Sequence, residues 1–143
     1  MRPETLIERK KRDPLTKLNV VFDLSQSKGM PFDVNGTIRH FQCRPIDMTN
    51  WGNLVGNLAR NRVALNAANR DITLMTEEDI PVTVTVDAAI TIIETIQNYY
   101  NALYGARWAC KEQFKLVTDV AQREAINVKA TFDTILNLII NPE

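Results

Sequence analysis

The sequence predicts an α+β protein: a small antiparallel sheet, in the form of a hairpin, packed with one short and one long helix and preceded by an extended N-terminal arm. Three observations carry this expectation. Asn35-Gly36 is a turn dipeptide, and residues 37–43 after it have the composition of a short half-buried strand. Residues 72–76 and 80–84 are strand-like and flank the acidic triplet Glu77-Glu78-Asp79. No proline separates Pro81 from Pro142, and apolar residues recur in that gap with a seven-residue repeat.

In chain order, residues 1–17 are charged and hold Pro3 and Pro14, which reads as an arm outside the core. "KLNVVFDLS" at 17–25 reads as a strand in need of a partner, bounded by Pro14 and by "SQSKGMP". Pro45 ends the 37–43 strand. Asp47 or Thr49 then caps a helix through Trp51, Leu54, Val55, Leu58, Val63 and Leu65. "NAANRD" at 66–71 turns the chain into the hairpin, where Pro81 belongs near a sheet edge. Thr85 caps the next helix, with Asp87 in its first turn.

That helix is expected to run over residues 86–121, roughly 54 Å at about 1.5 Å per residue. Its seam is Ala89, Ile92, Ile96, Tyr99, Leu103, Ala106, Cys110, Gln113, Val117 and Val120, in which only Gln113 is polar. Gly105 weakens its middle by about 1 kcal/mol relative to Ala and marks a possible bend. Residues 129–140 form a last short helix capped by Thr131 and stopped by "NPE". The division expected is an N-terminal arm and strand over 1–33 and a compact α+β domain over 34–143.

The 143 residues suffice for one domain with a real core, at 45% hydrophobic and 24% charged residues. Lys plus Arg and Asp plus Glu are both 17, so the formal net charge is zero, which argues against a dedicated nucleic-acid coat. Residues 1–35 nevertheless carry seven basic side chains against five acidic ones, chiefly through "RKKR" at 9–12. The two cysteines, Cys43 and Cys110, give neither a disulfide framework nor a zinc pattern, so both are read as reduced, half-buried thiols. No apolar signal region opens the chain and no apolar run reaches membrane-spanning length. A soluble protein made in a cytoplasm is expected, with no membrane partner.

Chemistry-bearing patterns are few. His40 is the sole histidine. A strand puts it and Cys43 on opposite faces, so neither a metal site nor a nucleophile pair is expected of them. Glu77, Glu78 and Asp79 fall at a hairpin tip, where carboxylates are solvated and lack the burial that acid–base work requires. No glycine-rich phosphate loop exists. No enzyme activity, cofactor or metal is expected. Two features instead suggest partner binding. The arm offers Leu6, Ile7, Leu15 and Leu18 beside Arg9, Lys10, Lys11 and Arg12. The long helix carries a second stripe, Tyr100, Tyr104 and Trp108, four residues apart beside the seam.

Four segments together resemble a small domain of unknown function found in bacteriophage tail-fibre and tail-associated proteins. They are "NGTIRHFQC" at 35–43, "DMTNWGNLVGNLA" at 47–59, "LMTEEDIPVTVT" at 74–85 and "VDAAITIIETIQNYY" at 86–100. The resemblance covers about residues 34–126. It departs from the family pattern at Leu74 and Cys43, where Trp and Asp are common. The resemblance brings no catalytic residues. It implies a virion structural part in a tail, baseplate or fibre attachment, contacting other virion proteins and forming homo-oligomers. A head-to-tail connector is the alternative within the virion, and a small nucleic-acid-binding regulator using the basic arm is the alternative of another class.

Overall fold

A computed structural model describes residues 3–67 and 69–142, so Met1 and Arg2 of the arm, Ala68 of the 66–71 turn and Glu143 lie outside the described residues. The described residues form an α+β chain with six helices and two separate two-stranded antiparallel hairpins. It divides into two compact units, one of residues 26–101 and the other of residues 1–25 with 102–143.

In the unit of residues 26–101, β1 (Met30–Val34) pairs with β2 (Thr37–Phe41), Met30 opposite Phe41 and Val34 opposite Thr37. Asn35 and Gly36 join them with φ of 53° and 88°, the left-handed pair that a tight two-residue hairpin turn requires. Asp33 Oδ1 closes the turn by accepting from the Gly36 N–H at 2.7 Å. Gly29, just before β1, has φ of 89° and lies so close to Phe41 that a Cβ there would sit 2.1 Å from the Phe41 carbonyl oxygen. Only glycine fits that approach.

Helix α3 (Pro45–Arg60) starts earlier than the sequence suggests. Arg44 is its N-cap, Pro45 occupies the first turn, and Asp47 is the third helical residue, accepting from the Arg44 N–H at 2.9 Å. Thr49 does not cap; its hydroxyl donates to the Pro45 carbonyl at 3.3 Å. The helix stops at Arg60 instead of reaching Leu65, and Val63 is left exposed in the turns that follow.

Strands β3 (Asp71–Met75) and β4 (Pro81–Thr85) pair with Asp71 opposite Thr85 and Met75 opposite Pro81. Each sheet has two strands, so every strand has a free edge, the setting in which a strand proline such as Pro81 is tolerated. The core of this unit gathers Met30, Phe41, Cys43, Leu58, Leu74, Val82 and Val86 with Ala89, Ile92, Ile93 and Ile96.

Helix α4 (Val86–Lys115) gives its residues through Asn101 to this unit and those from Ala102 to the other. Thr85 caps it as expected, its hydroxyl accepting from the Ala88 N–H at 3.1 Å. Ala89, Ile92, Ile96, Leu103, Ala106 and Cys110 of the expected seam are buried. Beyond Cys110 the repeat fails, because Gln113 is exposed and Phe114 is buried. A straight α-helix drifts about 20° per heptad against a strict seven-residue repeat. Three heptads after Ile92 the strict repeat falls on Gln113, and the accumulated drift of about 60° has carried the inward position on to Phe114. The helix passes through Gly105 without interruption and ends at Lys115, short of the expected residue 121.

In the unit of residues 1–25 and 102–143, the expected arm and strand are helices. Helix α1 (Leu6–Arg12) is held by a capping box in which the Glu8 N–H donates to the Thr5 hydroxyl and the Thr5 N–H to the Glu8 carboxylate, both at 3.1 Å. Helix α2 (Pro14–Lys28) begins on Pro14, a residue suited to a first turn. The 17–25 segment has the β-branched and aromatic composition of a strand. The buried residues of α2, however, are Pro14, Leu18, Phe22 and Gln26, spaced four apart as a helix face requires. Packing overrides propensity here.

A short α5 (Val120–Glu124) follows α4, and α6 (Val128–Ile140) ends the chain. Asn127 caps α6, accepting from the Ala130 N–H at 3.1 Å, whereas the Thr131 hydroxyl, the expected cap, donates back to the Asn127 carbonyl at 2.9 Å. Val128, Phe132 and Leu136 face inward against a core that includes Leu103, Ala106, Cys110 and Phe114.

Candidate partner-binding surface

Asp13 and Arg123 form the joint on which the N-terminal surface is built. Asp13 separates α1 from α2, and its Oδ1 accepts from the Leu15 N–H at 2.9 Å. Arg123 of α5 brings one guanidinium nitrogen within 3.1 Å of both Asp13 oxygens. Its other terminal nitrogen donates to the carbonyls of Phe114 and Val117 at 2.6 and 2.8 Å. This half-buried cation thereby adds donors to two carbonyls at and just beyond the end of α4, of which that of Phe114 also accepts from the Val117 N–H at 3.2 Å, and neutralises the α1–α2 corner.

Two grooves flank that corner. The first, of about 480 Å³, is lined by Leu6, Leu15 and Val120 with Arg9 and Lys10 at its rim beside Asp13, Arg123 and Glu124. Leu6 and Ile7 are 65% and 68% exposed, so the two aliphatic residues of α1 are not covered by their own chain. Arg12 pairs with Glu4 and, at 3.2 Å, with Glu124, which leaves Arg9, Lys10 and Lys11 without an ion-pair partner among the described residues. The second groove, of about 490 Å³, has Val20, Val21, Ile126 and Val128 as its apolar lining and Lys11, Lys17 and Lys129 around it.

The remaining sequence candidates divide. Leu18 is wholly buried in its own unit and presents nothing to a partner. Tyr104 packs edge-on against Phe22 with ring centroids 4.9 Å apart, and Arg107 lies 4.7 Å above the Phe22 ring. Trp108 is 67% exposed, whereas Tyr100 is half-buried. The second groove was hidden from sequence reading except for Lys11. Its signal is Lys17, Val20, Val21 and Leu24 at helical spacing, legible once residues 17–25 are a helix.

The acidic triplet of the other unit does form the turn between β3 and β4, with Asp79 in the left-handed region at φ 59°. It is more than a solvated tip. The Glu77 N–H donates to the His40 carbonyl at 2.7 Å. Glu78 accepts from the His40 N–H at 2.9 Å and meets His40 Nδ1 at 2.8 Å. Lys28 lies 3.5 Å from Glu77. Burial opposes ionisation of Glu78, but these hydrogen bonds outweigh it and hold its carboxyl below the ordinary value.

Both cysteines are buried and unpaired. Burial, then the nearby Asp47 charge, pushes the Cys43 thiol up to about 12, and burial pushes Cys110 up to about 11. Such thiols are poor nucleophiles at neutral pH. Among the described residues no group of three His, Cys, Asp or Glu side chains is placed to hold a metal ion, and no helix is long and apolar enough to cross a membrane. Compared with family models, curated proteins and solved structures, the chain matches none.

Proposed function

We propose that this protein is a non-enzymatic assembly component of a bacteriophage virion, in the tail, baseplate or fibre attachment, working through fixed protein–protein contacts. The observation that carries the assembly reading is the outer face of α1. Leu6 and Ile7 are exposed beside three basic side chains that no carboxylate neutralises among the described residues. Aliphatic residues left uncovered on a capped helix, with charges around them, suit a partner surface better than bulk water. The placement in a phage tail rests on the segment resemblance over residues 34–126. A head-to-tail connector uses the same kind of face.

The nucleic-acid reading has less support. With Arg12 tied to Glu4 and Glu124, three cations of α1 remain without an ion pair among the described residues. About three phosphate contacts give weak and strongly salt-dependent binding.

The test is incorporation. The chain should be found in purified particles, and Leu6→Asp with Ile7→Asp should leave a folded protein that no longer enters them. A chain absent from particles rules out the virion role, and normal incorporation of the double variant rules out the α1 face. Particle symmetry then separates the sites: sixfold or twelvefold copies mark a tail or neck, and threefold copies a fibre.

A further inference from the structure

We propose that the lysine-rimmed groove between α2 and the start of α6 receives the acidic β3–β4 tip of a second copy of this chain. The inference rests on the assembly reading for its premise that copies meet. It adds which surfaces meet and in what sense.

The groove is lined by Val20, Val21, Ile126 and Val128 together with Lys11, Lys17 and Lys129. Lys11 and Lys17 enter no ion pair among the described residues. Lys129 has only the exposed Asp133 on its own helix, at 2.7 Å. Val20 and Leu24 extend the apolar stripe along α2 and are both largely exposed. An occupant must therefore combine aliphatic side chains with carboxylates. Nucleic acid supplies the charge but places nothing apolar against valine and isoleucine.

The chain carries a matching surface. At the β3–β4 tip, Met75 and Ile80 are 54% and 39% exposed. Between them stand Glu77, Glu78 and Asp79, against which the chain sets the long contact to Lys28 and the His40 ring. Asp79 has no side-chain partner among the described residues. The tip is held in shape by the bonds to His40, so little ordering cost remains on binding. Opposite charges around matched apolar centres fix register and exclude wrong partners. Because groove and tip are different surfaces, each copy uses both, and the contact is head-to-tail. Such contacts propagate into a ring if the rotation closes and into an open array if it does not.

The experiment is sedimentation of the purified full chain over a range of concentrations, without any other protein. Association should deepen with concentration and weaken as salt rises. Lys11→Glu with Lys17→Glu (groove variant) and Glu77→Lys with Asp79→Asn (tip variant) should each weaken it at least about tenfold. Mixed one to one, the two variants should recover association with the copies alternating, since the reversed groove meets the reversed tip and the unchanged tip meets the unchanged groove. Melting of each variant within a few degrees of the parent shows that both fold. Should a variant melt low, Val20→Asp and Ile80→Lys serve the same purpose. A parent that stays monomeric overturns the proposal, as does association indifferent to either reversal or mixed variants that fail to pair. A parent that enters particles yet never self-associates leaves the assembly role standing and removes this contact alone.

Discussion

Glu78 holds His40 at two points, accepting its backbone N–H at 2.9 Å through one carboxylate oxygen and meeting its ring Nδ1 at 2.8 Å through the other. An ionised carboxylate can only accept, so the Nδ1 carries the proton in this contact. With the Glu77 N–H on the His40 carbonyl, the turn of one hairpin is fastened to the second strand of the other.

The folded-state pKa of Glu78 is depressed, because the bonds from His40 outweigh burial. A depressed carboxylate contributes stability above its unfolded value, roughly 4.3, that is lost as pH falls through the lower folded value. Melting temperature should therefore drop on that acid limb. Glu78→Gln should flatten this part of the profile while leaving a weaker hydrogen bond to the His40 N–H. An unchanged acid limb in the variant would show that the contact is not held by charge.

Gly29→Ala should destabilise the protein by more than about 2 kcal/mol, since it combines a left-handed backbone with a backbone clash. The added Cβ would stand 2.1 Å from the Phe41 oxygen, which no side-chain rotation relieves. Gly36→Ala meets nothing within 4 Å, so its cost should be the backbone strain alone. Equal losses in denaturant titrations of the two variants would contradict the close approach at Gly29.

Arg123→Ala removes donors to the Phe114 and Val117 carbonyls and the partner of Asp13 together. Hydrogen bonds to charged groups contribute about 1.5–3 kcal/mol, so a loss of about 2–4 kcal/mol is expected. Arg123→Lys should recover only part of it, because one ammonium cannot face the carbonyls and the carboxylate in the arginine's forked geometry. Full recovery by lysine would mean that charge alone matters there.

The register of α4 gives a contrast between neighbours. Phe114→Ala should cost about 3–5 kcal/mol, and Ile96→Ala and Leu103→Ala about 2–5 kcal/mol each. Gln113→Ala should stay within about 0.5 kcal/mol, as an exposed helical position does. If Gln113 proves as sensitive as Phe114, the seam does not drift as described.

Both thiols should be silent toward a thiol-specific reagent at pH 8 in the native protein and should react after denaturation. Values of about 12 and about 11 leave almost no thiolate at that pH, and burial blocks access. A fast-reacting thiol in the native state would show that one of the two is open to solvent.

Short-range chemistry was legible in the sequence. Asn35-Gly36 defines a tight turn by its backbone preference alone, Thr85 caps α4 through its own hydroxyl, and the acidic triplet joins two strands. Each depends on residues within a few positions of one another. The seam from Ala89 to Cys110 was legible for the same reason, since helical periodicity is local. The drift at Phe114 lay outside a strict seven-residue template.

Tertiary structure decided what composition could not. Val20, Val21 and Phe22 favour a strand by type, yet Pro14, Leu18 and Phe22 are buried on one helical face, and that burial outweighs propensity. With the helix come the groove beside Lys17 and the burial of Leu18, which removes it from the candidate surface. The partners of Glu78 and Arg123 lie 38 and 110 residues away in sequence, at His40 and Asp13. By itself the sequence determined the Asn35-Gly36 turn, the Thr85 cap and the inward face of α4 as far as Cys110, because the backbone and near neighbours set those. Only the folded chain decided which charges are neutralised and which apolar side chains stay uncovered, because both depend on groups brought together from far along the chain.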